Sequence, residues 1–390
     1  MKKLIYITFL LVTAVCAGAA EKPKASFAYD VDFQMRFDNR EFSRSAYTPS
    51  MTIFGARLTP TVGLALTESN GAQHRLMAGI DVMKDFGASP ISELIAGGKT
   101  DETSVKLNNL GLFRELTLYY NFHKKIARTD MEIYAGIFPR HAAEGIYSEA
   151  LISDSLKFYD NNLEGLLLKF RRPQAYFEVG CDWMGQYGTA RREKFMIFTA
   201  GEGKVLPFMS LGYAGYMLHY ANSSKAKGLV DNILLNPYAR FDLGDVAGLQ
   251  KLSFRLGWLQ AMQRDRVNVG MFVFPFGGEF DQEVRNWNVG VRNRMFFGRN
   301  MMPYYDGVDN AGVKYGPNVY YGDPFYRVHD DGRLEAGFYD RLEIYYEPKL
   351  GDFLSLRVEA LFHFHGMHYS GCQQVISLRF NLQELINKNK

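Results

Sequence analysis

Apolar and polar residues alternate with a period of two along most of the chain, and this pattern constrains the fold more than any other feature. Residues 354 to 364 show it clearly, and residues 27 to 37 repeat it at the other end. Successive side chains of a β-strand point to opposite faces of the sheet. Each such segment therefore predicts a strand with one apolar and one polar face.

The composition excludes two other classes of protein. A chain with 47% hydrophobic and 22% charged residues is not disordered. A transmembrane helix needs roughly 18 consecutive apolar residues, and no such run occurs after the first twenty residues. An excess of Phe (30) and Tyr (24) over Trp (3) favours one large β structure.

The N-terminus has the three parts of a secretory signal peptide, predicted over residues 1–20. Met1-Lys2-Lys3 precedes a short apolar stretch, and small residues follow up to Ala20. Without Lys2 and Lys3 the formal charge falls from +3 to +1, so nothing indicates nucleic acid as a partner. A disulfide between Cys181 and Cys372 and two unpaired thiols both remain open.

The lengths of the connections distinguish a membrane barrel from a soluble sandwich. About sixteen segments occur, and short connections such as 67–72 and 201–204 alternate with long ones such as 139–162 and 299–337. The connection 263–266 is short where a long one is expected. Short turns at one end and long loops at the other are typical of outer-membrane barrels. We therefore predict an all-β, antiparallel transmembrane barrel of about 16 strands, with 14 to 18 allowed. It spans residues 21–382, has short periplasmic turns and long extracellular loops, and is followed by a polar tail at 383–390.

In these features the chain resembles the sixteen-stranded porins of Gram-negative outer membranes. The signal peptide, the alternation of turns and loops, and the terminal strand from Val375 to Phe380 carry the resemblance. It implies a bacterial outer-membrane channel for passive diffusion of small hydrophilic solutes or ions, in contact with outer-membrane lipid and assembled as a homotrimer. The polar residues after Phe380 depart from the family, whose last strand ends the chain in an aromatic residue.

The resemblance also implies that the third long loop, 139–162, folds into the lumen and forms a constriction. An acidic loop opposite an arginine wall would order water and sort polar solutes. The alternative is that these charges are a solvated barrel interior that pairs locally. The predicted acidic residues are Glu144, Glu149, Asp154 and Asp160, and the predicted basic wall is Arg36, Arg57, Arg75, Arg240, Arg255, Arg341, Arg357 and Arg379.

The long loop 299–337 combines aromatic and acidic residues, as a sugar-stacking site does. A loop packed on itself over the mouth of the barrel is the alternative. The first interpretation would make the protein a surface binding protein or adhesin, and a barrel accessory to secretion is a third hypothesis. The candidate ligand residues are Tyr304, Tyr305, Tyr320, Tyr321 and Tyr326.

No motif in the sequence indicates catalysis, and we expect no enzymatic activity, no cofactor and no metal. Gly98-Lys99-Thr100 lacks the first glycine of a phosphate-binding loop. An acyl hydrolase on the barrel wall would need a serine and a histidine facing lipid, and the clear apolar faces carry no such pair. His219 lies in a segment whose alternation is poorly resolved, so this exclusion is incomplete.

Overall fold

Sixteen antiparallel strands form a closed barrel in the computed structural model. It describes residues 23–43, 47–86, 113–189, 191–221, 223–224, 227–310, 312–329 and 331–382. The strands are β1 (Lys24–Phe42), β2 (Met51–Thr67), β3 (Gln73–Asp85), β4 (Phe113–Ile126), β5 (Thr129–Pro139), β6 (Asn162–Arg172), β7 (Ala175–Gly185), β8 (Lys194–Leu206), β9 (Met209–Tyr220), β10 (Val230–Asp242), β11 (Lys251–Asp265), β12 (Phe276–Asn286), β13 (Val289–Arg299), β14 (Ala336–Tyr346), β15 (Leu354–His365) and β16 (His368–Asn381).

Each strand pairs with the next in sequence, and β1 pairs with β16 to close the sheet. The closing register places Phe37 opposite Ile376 and Gln34 opposite Arg379. A closed sheet satisfies every strand edge, which a membrane-spanning sheet requires because lipid offers no hydrogen bonds. The predicted antiparallel barrel of about sixteen strands is confirmed, and the count is sixteen.

Seven short turns connect the strands at the end of the barrel where both β1 begins and β16 ends. Eight connections lie at the other, extracellular end: L1 (43–50), L2 (86–112), L3 (140–161), L4 (186–193), L5 (221–229), L6 (266–275), L7 (300–335) and L8 (366–367). L3 contains helix α1 (Asp154–Tyr159), the turn after β10 contains α2 (Gly244–Ala247), and L7 contains α3 (Gly316–Val319). Two 3-10 turns lie at Arg140–Ala142 and Pro324–Arg327.

Two connections differ from the sequence interpretation. Residues 201–204 were expected to form a turn, but they continue β8 through a register shift between Lys204 and Leu206. Residues 263–266 were expected to be a whole connection, but L6 extends to residue 275. Its last residues pair with β11, since the backbones of Val273 and Gln263 exchange hydrogen bonds.

The two faces of the wall carry different side chains. Leu64 and Leu76, which pair across β2 and β3, are 64% and 57% exposed on the outer face. At positions of opposite parity in the same two strands, Arg57 and Asp81 are buried on the inner face and ion-paired at 2.9 Å. Apolar residues thus face lipid and charged residues face the lumen, as in outer-membrane barrels.

No helix within the described residues is long and apolar enough to cross a membrane. The predicted signal peptide at 1–20, the tail at 383–390 and Gly98-Lys99-Thr100 lie outside the described residues. The two boundaries therefore stay predictions.

Replacing Arg57 by Met should destabilise the barrel, because it leaves the buried carboxylate of Asp81 without its cation. Breaking one partner of a buried pair costs about 3–5 kcal/mol. A folded barrel that has not been boiled migrates anomalously on a gel. When samples are heated before electrophoresis, the band of the folded variant should disappear at a lower temperature than that of the parent protein. The double change Arg57→Met with Asp81→Leu should recover most of the loss, and equal melting of single and double variants would contradict the assignment.

Candidate functional site

L3 folds into the lumen and is fixed to the wall by hydrogen bonds from its own backbone. The backbone amides of Glu144 and Gly145 donate to the carboxylate of Glu178, at 2.8 and 2.9 Å. At the end of α1, the Arg57 guanidinium donates to the carbonyl oxygen of Tyr159 at 2.9 Å. The helix starts at a capping serine, since the hydroxyl of Ser153 accepts from the amide of Leu156 at 3.2 Å.

Glu149 is the strongest electrostatic link between L3 and the opposite wall. It is buried and forms ion pairs with Arg294 on β13 and Arg341 on β14. Arg341 also donates through Nε to the carboxylate of Glu343 at 2.8 Å. One buried carboxylate therefore lies between two guanidinium groups, so L3 crosses the lumen instead of standing above it.

Of the other predicted acidic residues of L3, Asp154 lies beside the Glu149 cluster, since its carboxylate is 4.0 Å from Arg341, whereas Glu144 and Asp160 pair elsewhere. Glu144 pairs with Lys169 at 2.7 Å, and Asp160 pairs with Arg140 at 2.8 Å. Asp154 pairs with Lys157 at 3.0 Å on the exposed side of α1. Burial acts to raise the pKa of Asp154, but Lys157 and Arg341 outweigh it and hold that pKa well below its ordinary value.

The predicted arginine wall is distributed around the whole barrel. Arg341, Arg357, Arg379 and Arg36 lie on neighbouring strands of one side, from β14 to β1. The other four are separate. Arg57 pairs with Asp81, Arg255 pairs with Glu279 at 3.2 Å, Arg240 pairs with Glu202 at 2.5 Å, and Arg75 lies near the periplasmic end of β3. The proposed role of these residues as one selectivity wall stays a prediction.

L7 also folds into the barrel and packs on L3. The amide of Ser153 donates to the carbonyl of Tyr321 at 2.8 Å, and the amide of Asp323 donates to the carbonyl of Glu149 at 2.7 Å. Between them, a Cβ added to Gly322 would lie 2.0 Å from the carbonyl oxygen of Ala150. The two loops therefore meet backbone to backbone, at a contact that only glycine allows.

The tyrosines of L7 point into this assembly. Tyr320 donates to the side chain of Gln263 at 2.7 Å, and Tyr326 donates to Glu279 at 2.7 Å. Tyr320, Tyr321 and Tyr326 are buried, and Tyr304 and Tyr305 pack against the same core. Their rings contact protein, as the self-packed alternative describes, while a glycan site in this loop stays a prediction.

Several cavities lie in the lumen beside L3, and two of them share lining residues. The main cavity, of about 530 Å³, lies between L3 and the wall from β11 to β1, and the side cavity, of about 360 Å³, lies on the β6 and β8 side of L3. Gln34, Tyr147, Lys157 and Arg379 line both cavities. These four side chains thus lie where the two cavities adjoin, at a boundary that we call the passage.

A histidine and an aspartate form a pair on the outer face of the wall, near the extracellular ends of β9 and β10. Nδ1 of His219 lies 3.2 Å from Oδ1 of Asp231, and the two residues are paired across the sheet. The neighbours of His219 in β9, Leu218 and Tyr220, are buried inside. Because strand residues alternate between faces, His219 points out toward lipid.

Arginines and aromatic rings surround this pair. Arg266 donates through Nε to Asp231 at 2.6 Å, and Arg264 lies 3.6 Å from the same oxygen. Arg264 stacks over the ring of Phe272 in L6, 4.3 Å from its centroid. On the other side, His219 lies opposite Phe195, so neither of its cross-strand partners is a serine.

No group of three or more His, Cys, Asp or Glu side chains within the described part of the chain is arranged to hold a metal ion. His363 contacts Tyr339 and Gln373, both at 2.9 Å. Its two ring nitrogens are thereby occupied by protein. Cys181 and Cys372 are both free thiols.

A family model described as lipid A 3'-O-deacylase-type matches residues 20–221, just over half of the 390-residue chain. The chain belongs to the lipid A 3'-O-deacylase-type family. The match covers β1 to β9 and includes His219. A comparison with curated proteins gave no significant match.

Solved outer-membrane barrels are similar to this family member in fold. A loop-deletion mutant of OmpT from Vibrio cholerae has 9% identity and a TM-score of 0.49, over 92% of this chain and 99% of that one. OccAB3 from Acinetobacter baumannii has 9% identity and a TM-score of 0.41, over 91% and 99%. A triple mutant of the Rhodopseudomonas blastica porin has 10% identity and a TM-score of 0.43, over 91% and 100%.

The closed barrel of sixteen strands with its apolar outer face confirms the predicted porin-like barrel and its place in the bacterial outer membrane, and the family match corrects one expectation. We expected no enzymatic activity, and this was wrong, because the lipid A 3'-O-deacylase-type family is named for an enzyme. The sequence argument failed at His219, whose facing could not be assigned. Both faces of β9 are apolar, since Tyr216 and Leu218 are buried inside the barrel.

Alkaline pH should release L7 from the lumen. Burial raises the pKa of Tyr320 and Tyr326 well above the ordinary value of 10, and Glu279 adds to the effect at Tyr326. Below pH 10 both hydroxyls are neutral, so pH does not affect the docking of L7 in that range. Above it, a released tyrosine ionises more readily than a docked one, and docking loses stability as pH rises.

The measurement is cleavage of L7 by an added protease in reconstituted barrels, at pH 8 and at about pH 11. Cleavage should increase at the higher pH. The double variant Tyr320→Phe with Tyr326→Phe cannot ionise at these positions and should show a smaller increase. Equal increases in both proteins would refute the role of the two hydroxyls.

Proposed function

We propose that this protein hydrolyses an acyl ester of lipid A in the outer leaflet, with His219 as the general base. The observation that carries the proposal is the His219–Asp231 pair, which faces lipid at the extracellular end of the wall. Lipid A occupies the outer leaflet, so its ester bonds lie at this level of the barrel. Membership of the lipid A 3'-O-deacylase-type family supports the same substrate class.

The contacts of the pair favour one tautomer of His219. Asp231 accepts a hydrogen bond from Nδ1–H at 3.2 Å, which leaves Nε2 as an acceptor. Arg266 holds Asp231 from its other carboxylate oxygen at 2.6 Å. The carboxylate is therefore fixed in position and orients the imidazole, as the acid member of a catalytic triad does.

Water is the nucleophile in this mechanism, because the cross-strand partners of His219 are Phe195 and Asp231. Nε2 removes a proton from water as its oxygen adds to the ester carbonyl. The resulting imidazolium returns that proton to the leaving sugar oxygen as the carbon–oxygen bond breaks. The products are a fatty acid and lipid A with one free hydroxyl group.

The surroundings of His219 suit a lipid with an anionic headgroup. Arg264 and Arg266 place two positive charges against the single carboxylate of Asp231, which favours the phosphates of lipid A. L6 presents Met271 and Phe274, 73% and 53% exposed, beside this cluster. Apolar side chains at the membrane interface suit acyl chains.

The test is mass spectrometry of lipid A after incubation with purified barrel. The parent protein should release a fatty acid, and His219→Gln should lower the rate by about 10²- to 10⁴-fold, the usual contribution of a general base. Asp231→Asn should also lower the rate, because an asparagine amide that donates to Nδ1 would place the proton on Nε2. Unboiled gel mobility shows whether each variant is folded.

His74→Gln is the matched control. His74 lies beside Tyr120 and Glu68 at the periplasmic end of the wall, at 2.7 and 3.0 Å, so it lies at the other end of the barrel from His219. Its replacement should leave the rate unchanged. Lipid A that stays fully acylated with the parent protein would refute the hydrolase, and an undiminished rate in His219→Gln would refute the role of this residue.

We also propose a second function, passive diffusion of small hydrophilic solutes or ions through the lumen. The cavities of about 530 and 360 Å³ on two sides of L3 favour it. Charged side chains line both, as in water-filled barrels. The predicted homotrimer and the individual solutes belong to this proposal and stay predictions.

The channel should give ohmic current steps in a planar bilayer, and Gly322→Val should enlarge them. The added side chain would collide with the carbonyl of Ala150 and separate L7 from L3. Gly278→Val, in β12 where the backbone is extended and an added Cβ meets nothing within 4 Å, is the control for folding and should keep the parent step size. A silent bilayer at all voltages for both the parent and Gly322→Val would reject the channel.

A further inference from the structure

The charge at the passage between the two cavities differs from the charge where Glu149 of L3 contacts the wall. There, the carboxylate of Glu149 is compensated by Arg294 and Arg341. The passage lies between L3 and the wall formed by β16 and β1. Lys157 and Arg379 are the two charged side chains that line both cavities, and both are cations.

The register of the wall gathers further positive charge around small residues. Arg36 and Arg357 lie on either side of Ser377 in one row across β1, β16 and β15. Arg379 lies two residues further along β16, between Gln34 and Ser355. Serines leave open space next to the guanidinium groups, so a solute can approach them.

The arginines of this row differ in how far their charge is compensated. Arg357 contacts three carboxylates, those of Glu359, Glu347 and Glu343, at 2.7 to 3.3 Å. Within the described residues, the ion pair of Arg36 is with Asp38 at 3.6 Å. Arg40 contacts that same carboxylate at 2.8 Å. Arg36 therefore keeps more of its charge for a solute than Arg357 does.

In this region the carboxylates of the wall are more deeply buried than the cations. The side chains of Asp32 and Asp38 are only 4% and 2% exposed, while Arg379 and Arg36 are 33% and 16% exposed. Lys157 is 50% exposed on the facing helix. Its partner Asp154 is 45% exposed, but it lines the main cavity only. A solute in the passage thus meets cations first.

We infer that this passage binds small anions, such as carboxylates and inorganic phosphate, and prefers them over cations. Arg379 and Lys157 form its two sides, and Arg36 extends the basic surface into the main cavity. The inference rests on the proposed channel and names the class of solute that it selects. It differs from the expectation of an acidic loop opposite a basic wall, because the charged L3 residue that faces the passage is Lys157.

The expected size of the effect follows from Coulomb's law. A unit charge about 8 Å from a permeating ion in water contributes about 0.5 kcal/mol, roughly a twofold change in relative permeability. Replacing Lys157 or Arg379 by Gln should therefore lower the chloride-to-potassium permeability ratio by about twofold or more. The low dielectric of the barrel wall enlarges this effect.

The test is the reversal potential of reconstituted full-length protein in a potassium chloride gradient, repeated with potassium phosphate. The parent channel should prefer the anion in both salts. Lys157→Gln is the main variant because the exposed side chain of Lys157 carries no buried partner, whereas Arg379→Gln removes the cation that contacts buried Asp32 at 2.9 Å. Arg172→Gln, at an exposed arginine at the periplasmic end of β6 that lines neither cavity, is the matched control and should keep the parent ratio.

Three outcomes would overturn the inference, and they differ in what else they reject. A conducting parent protein that prefers potassium rejects the anion passage and leaves the channel intact. An anion preference that Lys157→Gln and Arg379→Gln both leave unchanged rejects these residues as its source. Absence of conductance in the parent and in Gly322→Val rejects the channel and the passage together.

Discussion

The carboxylate of Glu149 between the guanidinium groups of Arg294 and Arg341 is the interaction on which the interior of this barrel depends. A sixteen-stranded barrel is wide enough to hold an aqueous lumen. Here L3 crosses that lumen because a buried negative charge on the loop compensates two positive charges on the wall. L7 then rests on L3 through backbone hydrogen bonds at Ser153 and Asp323. The cavities are the space that remains beside the loops.

The fold could be predicted from the sequence wherever one face of a strand meets lipid and the other meets water. In β15 the apolar residues from Leu354 to Phe364 alternate with polar ones, and the strand was placed correctly. In β8 and β9 the inner face packs against loops, so Met196, Tyr216 and Leu218 are as apolar as the lipid-facing residues. The alternation is absent there because both faces of the strands are apolar. The face on which His219 lies therefore could not be predicted.

The candidate sites also show a limit of prediction from sequence. The sequence indicated which residues of L3 are acidic, but their partners lie on distant strands. Arg294 is 145 residues from Glu149, and it lies in a segment whose alternation was not resolved. Which carboxylates are compensated, and which cations remain available, depends on this pairing. Local sequence patterns contain no information about it.

The wall of the barrel is a single strand layer, and β9 shows what this means for a protein whose wall meets different surroundings on its two sides. His219 faces lipid, while Leu218 and Tyr220 face the interior, where the ring of Tyr220 contacts that of Tyr315 in L7. Odd-numbered and even-numbered positions of one strand therefore belong to two different environments. Evolutionary selection on the outer surface and on the lumen therefore acts on alternating residues of the same short segment. A one-residue insertion in β9 would turn the lipid-facing residues beyond it toward the lumen and the lumen-facing residues toward lipid.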